Sequence, residues 1–286
     1  MSARAEDAFR ADIVEVGRRM YARGYVASND GNISIRLDDS TILTTPKSVS
    51  KGFMTADMMV VVDLDGKKVR GTRDASSELL MHLEVYKNRP DVRAVVHAHP
   101  PTATGFAVAG IPLDRAVLAE VVTTLGSIPI AEYGTPSTPE LPAAVRKYIK
   151  AYDGLLLANH GALTIGPDVF AAYYKMETIE HFAKISLVAR QLGREHLLSR
   201  EEVVRLQDLR GNYGIKSPAP ICADESSLPT DADPANCQIV QAPSAHGARL
   251  IPSDPADLDG EIRLSYRELT ALIEDAVKAL LGGQHG

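Results

Sequence analysis

Tryptophan is absent from this 286-residue chain, and cysteine nearly so. Two cysteines, Cys222 and Cys237, are too few for the disulfide scaffold of a small secreted domain. They also lack partners at metal-site spacing, so free thiols are expected. No run of about 18 apolar residues occurs, which excludes a membrane-spanning helix. The first residues, Met1 to Arg10, are charged where a secretory leader would be apolar. There is no extended Lys/Arg block, and the formal net charge is −6, which argues against a general nucleic-acid binder. No Gly-x-Gly-x-x-Gly fingerprint implies a dinucleotide, and no Ser-His-Asp or Cys-His order supports covalent catalysis. What the chain does have is an ordinary globular composition, 45% hydrophobic and 24% charged. Its length allows one large domain, or one domain with an appendage. A protein of a reducing cytoplasm is the expectation these features set.

The pattern along the chain is mixed. Ile13, Val16, Gly17, Met20 and Tyr21 recur at helical spacing, and Gly24 stands where a helix would end. Strand-like runs follow at Ile33–Leu37, Thr41–Thr44, Met59–Leu64 and Lys68–Arg70, the last pair joined by Asp65-Gly66. A helix is expected over Ser76–Asn88, and buried strands over Arg93–His99 and Gly154–Ala158. Helices are expected again over Phe170–Leu192 and Arg200–Leu209. Strands interleaved with helices to about residue 215 predict a three-layer α/β/α domain around a mixed, mainly antiparallel sheet. Ser217–Glu261 then holds seven of the 17 prolines and eight acidic residues against one basic residue, Arg249. That stretch reads as a linker, or as a segment laid on the domain surface. Ser265-Tyr266-Arg267-Glu268 fits a capping box, and Leu269, Leu272, Ile273, Ala276, Val277 and Leu280 form one apolar stripe. The expected division is a domain over 1–216, a Pro/Asp-rich linker over 217–262 and an amphipathic helix over 263–286.

Three of the eight histidines stand out by position. His97 and His99 lie two apart on an expected buried strand, so both rings emerge from one face near its end. His160 follows a second buried strand and precedes Gly161. Two ligands close in sequence and a third far away is a common layout for catalytic zinc, although two hydrogen-bonded histidines would have the same spacing. Gly31-Asn32 reads as a hairpin turn feeding a strand. Ser76-Ser77-Glu78 opens a helix, where free backbone N–H groups and two hydroxyls suit a phosphate or serve as an ordinary cap. His82, His181, His196, His246 and His285 carry no such pattern and are expected to be solvated or satisfied groups.

Taken in order, Gly31-Asn32-Ile33-Ser34, Ser76-Ser77-Glu78, His97-Ala98-His99-Pro100 and Asn159-His160-Gly161 resemble the class II aldolase/adducin family, over about residues 5 to 215. The fuculose-phosphate aldolases are the branch most similar. The resemblance implies a cyclic homotetramer with Zn(2+) held by His97, His99 and His160. Adducin-like relatives lack those histidines. It also implies Glu78 as the acid/base and Gly31, Asn32, Ser76 and Ser77 as ligands of a substrate phosphate. Thr45-Pro46-Lys47-Ser48 falls where the family has Thr-Pro-Thr/Ser-Gly, so Lys47 and Ser48 alter that phosphate loop. Tyr213-Gly214 resembles a C-terminal Tyr-Gly whose tyrosine reaches a neighbouring subunit's site. The segment Leu118–Thr123 has no match for a further site tyrosine, and Glu120 is its nearest polar residue.

The activity so implied is retro-aldol cleavage of a ketose 1-phosphate to dihydroxyacetone phosphate and a short aldehyde such as lactaldehyde. Within the family, a pentulose-phosphate 4-epimerase would usually carry Asp in place of Glu78. A methylthioribulose-phosphate dehydratase would commonly carry Ser-Ala-Glu in place of Ser76-Ser77-Glu78. Outside catalysis, a scaffold or cargo-organising protein acting through the terminal helix is the competing reading. That helix and its linker resemble the encapsulation peptides of bacterial microcompartment enzymes, which implies a shell protein as partner.

Overall fold

β1 (Asn32–Arg36) shows in five residues how this chain builds its layers. The sequence Asn-Ile-Ser-Ile-Arg sends Ile33 and Ile35 to one side of the sheet and Asn32, Ser34 and Arg36 to the other, as a period of two requires. The computed structural model describes residues 3–215, 217–222, 237–241 and 270. Before β1 runs α1 (Ala3–Ala22), with Gly24 in the left-handed conformation just beyond it (φ 70°). After β1 come β2 (Thr41–Thr44), β3 (Val60–Asp63), β4 (Lys68–Arg70), α2 (Leu79–Asn88) and β5 (Ala94–Ala98). Next are α3 (Pro101–Ala109), α4 (Ala119–Thr124), β6 (Ile130–Ala131), α5 (Glu140–Tyr148) and β7 (Gly154–Leu157). The series closes with β8 (Gly161–Gly166), α6 (Val169–Gln191) and α7 (Arg200–Asp208), then a short 3-10 turn at Arg210–Tyr213.

The strands form one eight-stranded sheet in the order β4-β3-β2-β1-β5-β8-β7-β6. Every neighbouring pair is antiparallel except β6 with β7. A central mixed, mainly antiparallel sheet between helical layers is therefore the fold. One core joins Ile33, Ile35, Val96 and Ala162 to α1, α3 and α6 through Ile13, Val16, Phe106, Met176, Ile179 and Phe182. The other joins Val95, Leu155, Leu163 and Ile165 to α2 and α5 through Leu83, Tyr86, Leu141 and Val145. Each such side chain, fully buried, contributes roughly 1.5–3 kcal/mol before ordering costs.

Polar residues also fix the second layer. Ser34 Oγ lies 2.7 Å from His82 Nδ1 and 2.8 Å from the Tyr86 hydroxyl, and Arg36 donates to the Tyr86 carbonyl. These bonds pin α2 across β1, so the start of the helix comes to lie over Asn32.

The structure corrects three expectations. The helix expected from Ser76 begins at Leu79, because Ser76–Glu78 form a turn that pairs back to Thr45. β8 has no counterpart among the expected strands: its six residues, Gly-Ala-Leu-Thr-Ile-Gly, lack a clear alternation, and its place between β5 and β7 is set by pairing. Cys222 and Cys237 are not free thiols but a disulfide, with Cα atoms 4.8 Å apart. A parallel bridge, Ile221 to Gln238, brings them together, and Gln238 N–H donates to the Pro220 carbonyl. Residues 217–222 and 237–241 lie along the α4 region and α7, where Ile221 and Val240 pack with Ala116, Val122, Val203 and Leu206. Among the described residues no helix is long and apolar enough to cross a membrane. The remainder of the acidic linker, the capping box at Ser265–Glu268, the stripe from Leu269 to Leu280, His246 and His285 lie outside the described residues, apart from Thr270.

Candidate metal centre and active site

Asn32 and His97 are opposite each other in the β1–β5 register. Alternation sends both to the α2 side of the sheet, one strand apart. Only glycine can precede Asn32: at Gly31, φ is 73°, and a Cβ would lie 2.9 Å from the His97 carbonyl oxygen and 2.7 Å from Val26. His99 is the first residue past β5, tied by its N–H to the Tyr25 carbonyl. His160 stands in the β7–β8 turn after Asn159, itself left-handed at φ 54°. Gly161 completes the approach, since a Cβ there would lie 2.6 Å from the His99 ring. Three imidazoles thus converge, with ring centroids 4.7–5.1 Å apart and one ligand nitrogen of each within 4.8 Å of the others.

The donor set fits a cation. His97 Nδ1 donates to the Ala162 carbonyl at 2.9 Å, an acceptor that fixes the tautomer and leaves a lone pair on Nε2. His99 Nδ1 lies 3.4 Å from an Asp30 carboxylate oxygen, which favours the same tautomer there. The Nε2 atoms of His97 and His99 then face each other, lone pair to lone pair, 3.1 Å apart. That arrangement is repulsive unless a positive charge lies near both. Burial, ahead of any charge effect, holds His97 well below the ordinary imidazole range and lowers His99 as well. Neutral imidazoles are the form that metals bind.

Glu78 closes the cluster. Its carboxylate lies 3.0 Å from His160 Nε2 and 3.5 Å from His97 Nε2, and it accepts from Asn32 Nδ2 at 2.8 Å. Burial pushes this carboxyl up, but His97, His160 and the Asn32 amide outweigh it and hold the group well below the usual carboxylate range.

The remaining expected site residues divide. The loop carrying Lys47 and Ser48 is stitched to the turn carrying Ser76 and Ser77: Ser76 N–H donates to the Thr45 carbonyl at 3.1 Å, and Lys47 N–H to the Asp74 carbonyl at 2.9 Å. Ser48 is at φ 59°, a conformation that favours the glycine it replaces. Lys47, Ser48 and Ser77 are exposed, and Ser76 is half-buried. Tyr213 is not brought to the histidines of its own chain. It is exposed in a hollow lined by Arg89, Asp153, Gly166 and Lys175, at the far end of β5 and β8. Glu120 is exposed on α4. Two further residues near the site carry little or no signal in the sequence. Asp30 has only its place before Gly31 to mark it, and Lys51 has no local signal at all.

The family model described as the Class II Aldolase and Adducin N-terminal domain matches residues 11–187. A 3-oxo-tetronate 4-phosphate decarboxylase of Pectobacterium atrosepticum is 32% identical over 191 residues, which is 65% of this chain and 87% of that protein. An L-fuculose phosphate aldolase of Methanococcus maripaludis is 34% identical over 181 residues, 63% of this chain and 97% of that protein. A solved L-fuculose 1-phosphate aldolase superposes with a TM-score of 0.67 at 28% identity, covering 73% of this chain and 96% of that one.

Proposed function

The chain belongs to the class II aldolase and adducin N-terminal domain family, and from that membership we propose a zinc-dependent lyase acting on ketose 1-phosphates such as L-fuculose 1-phosphate. Its products are dihydroxyacetone phosphate and a short aldehyde such as lactaldehyde. The observation that carries this reading is the Glu78 carboxylate against His97 and His160, with Asn32 fixing its orientation. His97, His99 and His160 would hold the zinc, which when bound supplies a Lewis acid that offsets negative charge on substrate oxygens. Gly31, Asn32, Ser76 and Ser77 would receive the phosphate, with Lys47 and Ser48 on the adjoining loop. As the C3–C4 bond breaks, Glu78 is placed to move the proton at C3 of the departing ketone half. Tyr213 acts from a second copy of the chain, in a homotetramer. Glu78 disfavours the 4-epimerase reading, and Ser77 disfavours the dehydratase.

A second reading draws on the decarboxylase relative. Loss of CO2 from a 3-oxo-tetronate 4-phosphate and cleavage of a ketose 1-phosphate at C3–C4 leave the same three-carbon enediolate. Only the leaving group differs. Incubating the zinc-loaded protein with ketose 1-phosphates and with 3-oxo-tetronate 4-phosphate separates the two. The aldolase reading expects dihydroxyacetone phosphate with an equimolar aldehyde. Dihydroxyacetone phosphate appearing only with CO2 would replace it, and the absence of dihydroxyacetone phosphate from every substrate would end both.

The tail extends the proposal. A tetramer presents four copies of residues 263–286, which suits weak multivalent docking to the inner face of a protein shell. Enclosure would confine a reactive aldehyde product. A reporter fused to residues 262–286 should be gathered by co-expressed shell proteins. A diffuse reporter, with the enzyme's location unchanged by deletion of the tail, would remove the shell from the account.

A further inference from the structure

Lys51 is almost fully buried, at 2% exposure, although it is a lysine in a short 3-10 turn. Its Nζ donates to the Asn29 carbonyl at 3.0 Å and to the Val49 carbonyl at 2.6 Å. Asn29 belongs to the turn that ends in Gly31-Asn32, and Val49 to the loop that carries Lys47 and Ser48. One ammonium group therefore fastens together two segments that carry proposed phosphate ligands. An open hollow of about 390 Å³ lies between them, lined by Ser28, Asn29, Ser48 and Ser50, with Tyr21 and Phe53 at its side. Both Ser28 and Ser48 hold left-handed backbone, at φ 49° and 59°, so the two turns are set in strained, defined shapes around it.

Taking an ammonium out of water costs several kcal/mol, and two carbonyl oxygens offset only part of that. No carboxylate among the described residues hydrogen-bonds to Lys51. Its third donor has no protein partner there either. Asp30 on the turn and Glu78 before α2 are the charged groups that act on it, both from beyond hydrogen-bond distance. From α1, the neighbouring residues are Gly17, against the Lys51 carbonyl, and the Tyr21 ring, against Gly52. A buried cation beside two loops and lacking a bonded counter-charge has the electrostatics of a dianion site awaiting its ligand.

We infer that Lys51, rather than the exposed Lys47, is the positioning residue that charges and shapes the phosphate subsite. The inference rests on the sugar-phosphate reading given above. The buried ammonium holds the two loops by their carbonyls and places a fixed positive charge behind them. Burial lowers this amine from its ordinary value to about 8, and Asp30 and Glu78 only partly restore it. The charge is thus present at neutral pH and lost as pH rises through about 8.

Two substitutions separate charge from clamp. Lys51→Gln keeps N–H donors for the carbonyls without the charge, and Lys51→Met removes both. The probe is glycerol 1-phosphate, a dianion at all pH values well above about 6, titrated calorimetrically into zinc-loaded protein. Both variants should bind it about 10–100-fold more weakly, with zinc content unchanged. Wild-type affinity should fall between about pH 7.5 and 9.5, while Lys51→Gln stays flat over that range. Wild-type affinity and pH dependence in Lys51→Gln would overturn the inference, leaving Lys51 a backbone clamp alone. If wild type itself fails to bind glycerol 1-phosphate, it is the sugar-phosphate reading that falls. If Lys51→Met does not fold, Lys51→Gln still decides the matter.

Discussion

β5 has charged groups at both ends, about 10 Å apart, and the two ends are built on opposite plans. At the Ala94 end, Arg89 gives two hydrogen bonds of 3.1 Å to one oxygen of Asp153, and Lys175 gives one of 2.7 Å to the other. Asp91 and the carbonyls of Ile149 and Ile165 take further donors. Positive and negative charges balance, and the network is closed. At the His97 end, imidazole lone pairs face each other, and Asn32 Oδ1 and His160 Nδ1 are buried without hydrogen-bond partners among the described residues. The same sheet thus carries a satisfied network that serves the fold and an unsatisfied one that is arranged for a ligand. Substitutions at the two ends should fail in different ways.

The largest effect is expected at the open end. His160→Ala should lose most bound metal and on the order of 10⁴ or more of the activity, with thermal stability of the metal-free protein nearly unchanged. Metal analysis showing full zinc occupancy would take His160 out of the ligand set. If the proposed role holds, in which the carboxylate moves a proton rather than holding the metal, Glu78→Gln should keep its metal and lose about 10²–10⁴ in turnover. Near-normal turnover would deny Glu78 that role. At the closed end, Asp153→Ala should do the reverse. Removing the one carboxylate that joins Arg89 to Lys175 leaves Arg89 with Asp91 and the half-buried Lys175 with only the Ile165 carbonyl, which costs about 1.5–3 kcal/mol of stability. Zinc content and kcat of the folded fraction should not move, and a selective loss of zinc would erase the contrast between the ends.

How much of this contrast the residues reveal depends on how local each feature is. The ordered motifs around Asn32, Glu78, His97 and His160 are short and chemically distinctive, and alternation along β1 and β5 already assigns their faces. β8 lacks a local signal: its pairing with β5 and β7 is what makes it a strand. The late start of α2 follows from Ser76 pairing with Thr45, a contact 31 positions away in the chain. The disulfide joins cysteines 15 residues apart through the parallel bridge of Ile221 to Gln238, and the burial of Lys51 depends on two loops closing over one side chain. Tertiary register set all of these, so neither spacing nor composition could.

His82 tests the comparison more finely, because it lies beside the open site, bonded to β1 through Nδ1 while its Nε2 is buried without a hydrogen-bond partner among the described residues. It is fully buried, and Ser34 Oγ is 2.7 Å from its Nδ1. Burial lowers its imidazole from the ordinary value to about 4, with Glu78 opposing only weakly. The unfolded chain takes up this proton near pH 6.5 and the folded chain only near 4. The neutral, folded form therefore loses stability as pH falls from about 6.5 to 4, by up to about 3 kcal/mol. Denaturant unfolding at a series of pH values should show this slope in wild type and a smaller one in His82→Gln. Equal slopes would mean that His82 does not titrate as its burial requires.

Tyr213 carries the smallest expected effect and the one that joins the two ends. Within one chain it is exposed beside the closed network, far along β5 from the histidines. It can reach an open site only if a second copy presents its closed end there. Tyr213→Phe should then lower kcat/KM about 10-fold, the loss of one hydrogen bond near the reacting groups, and leave stability and zinc unchanged. Mixing makes the test specific. His160→Ala subunits have no working metal centre but a normal tyrosine, whereas Tyr213→Phe subunits have the metal centre and no hydroxyl. If the tyrosine acts across an interface, oligomers reassembled from both variants contain sites with both parts. Activity per Tyr213→Phe subunit should then rise above that of the pure variant, toward wild type. If activity follows simple dilution instead, Tyr213 acts within its own chain or not at all, and the two ends of β5 work independently.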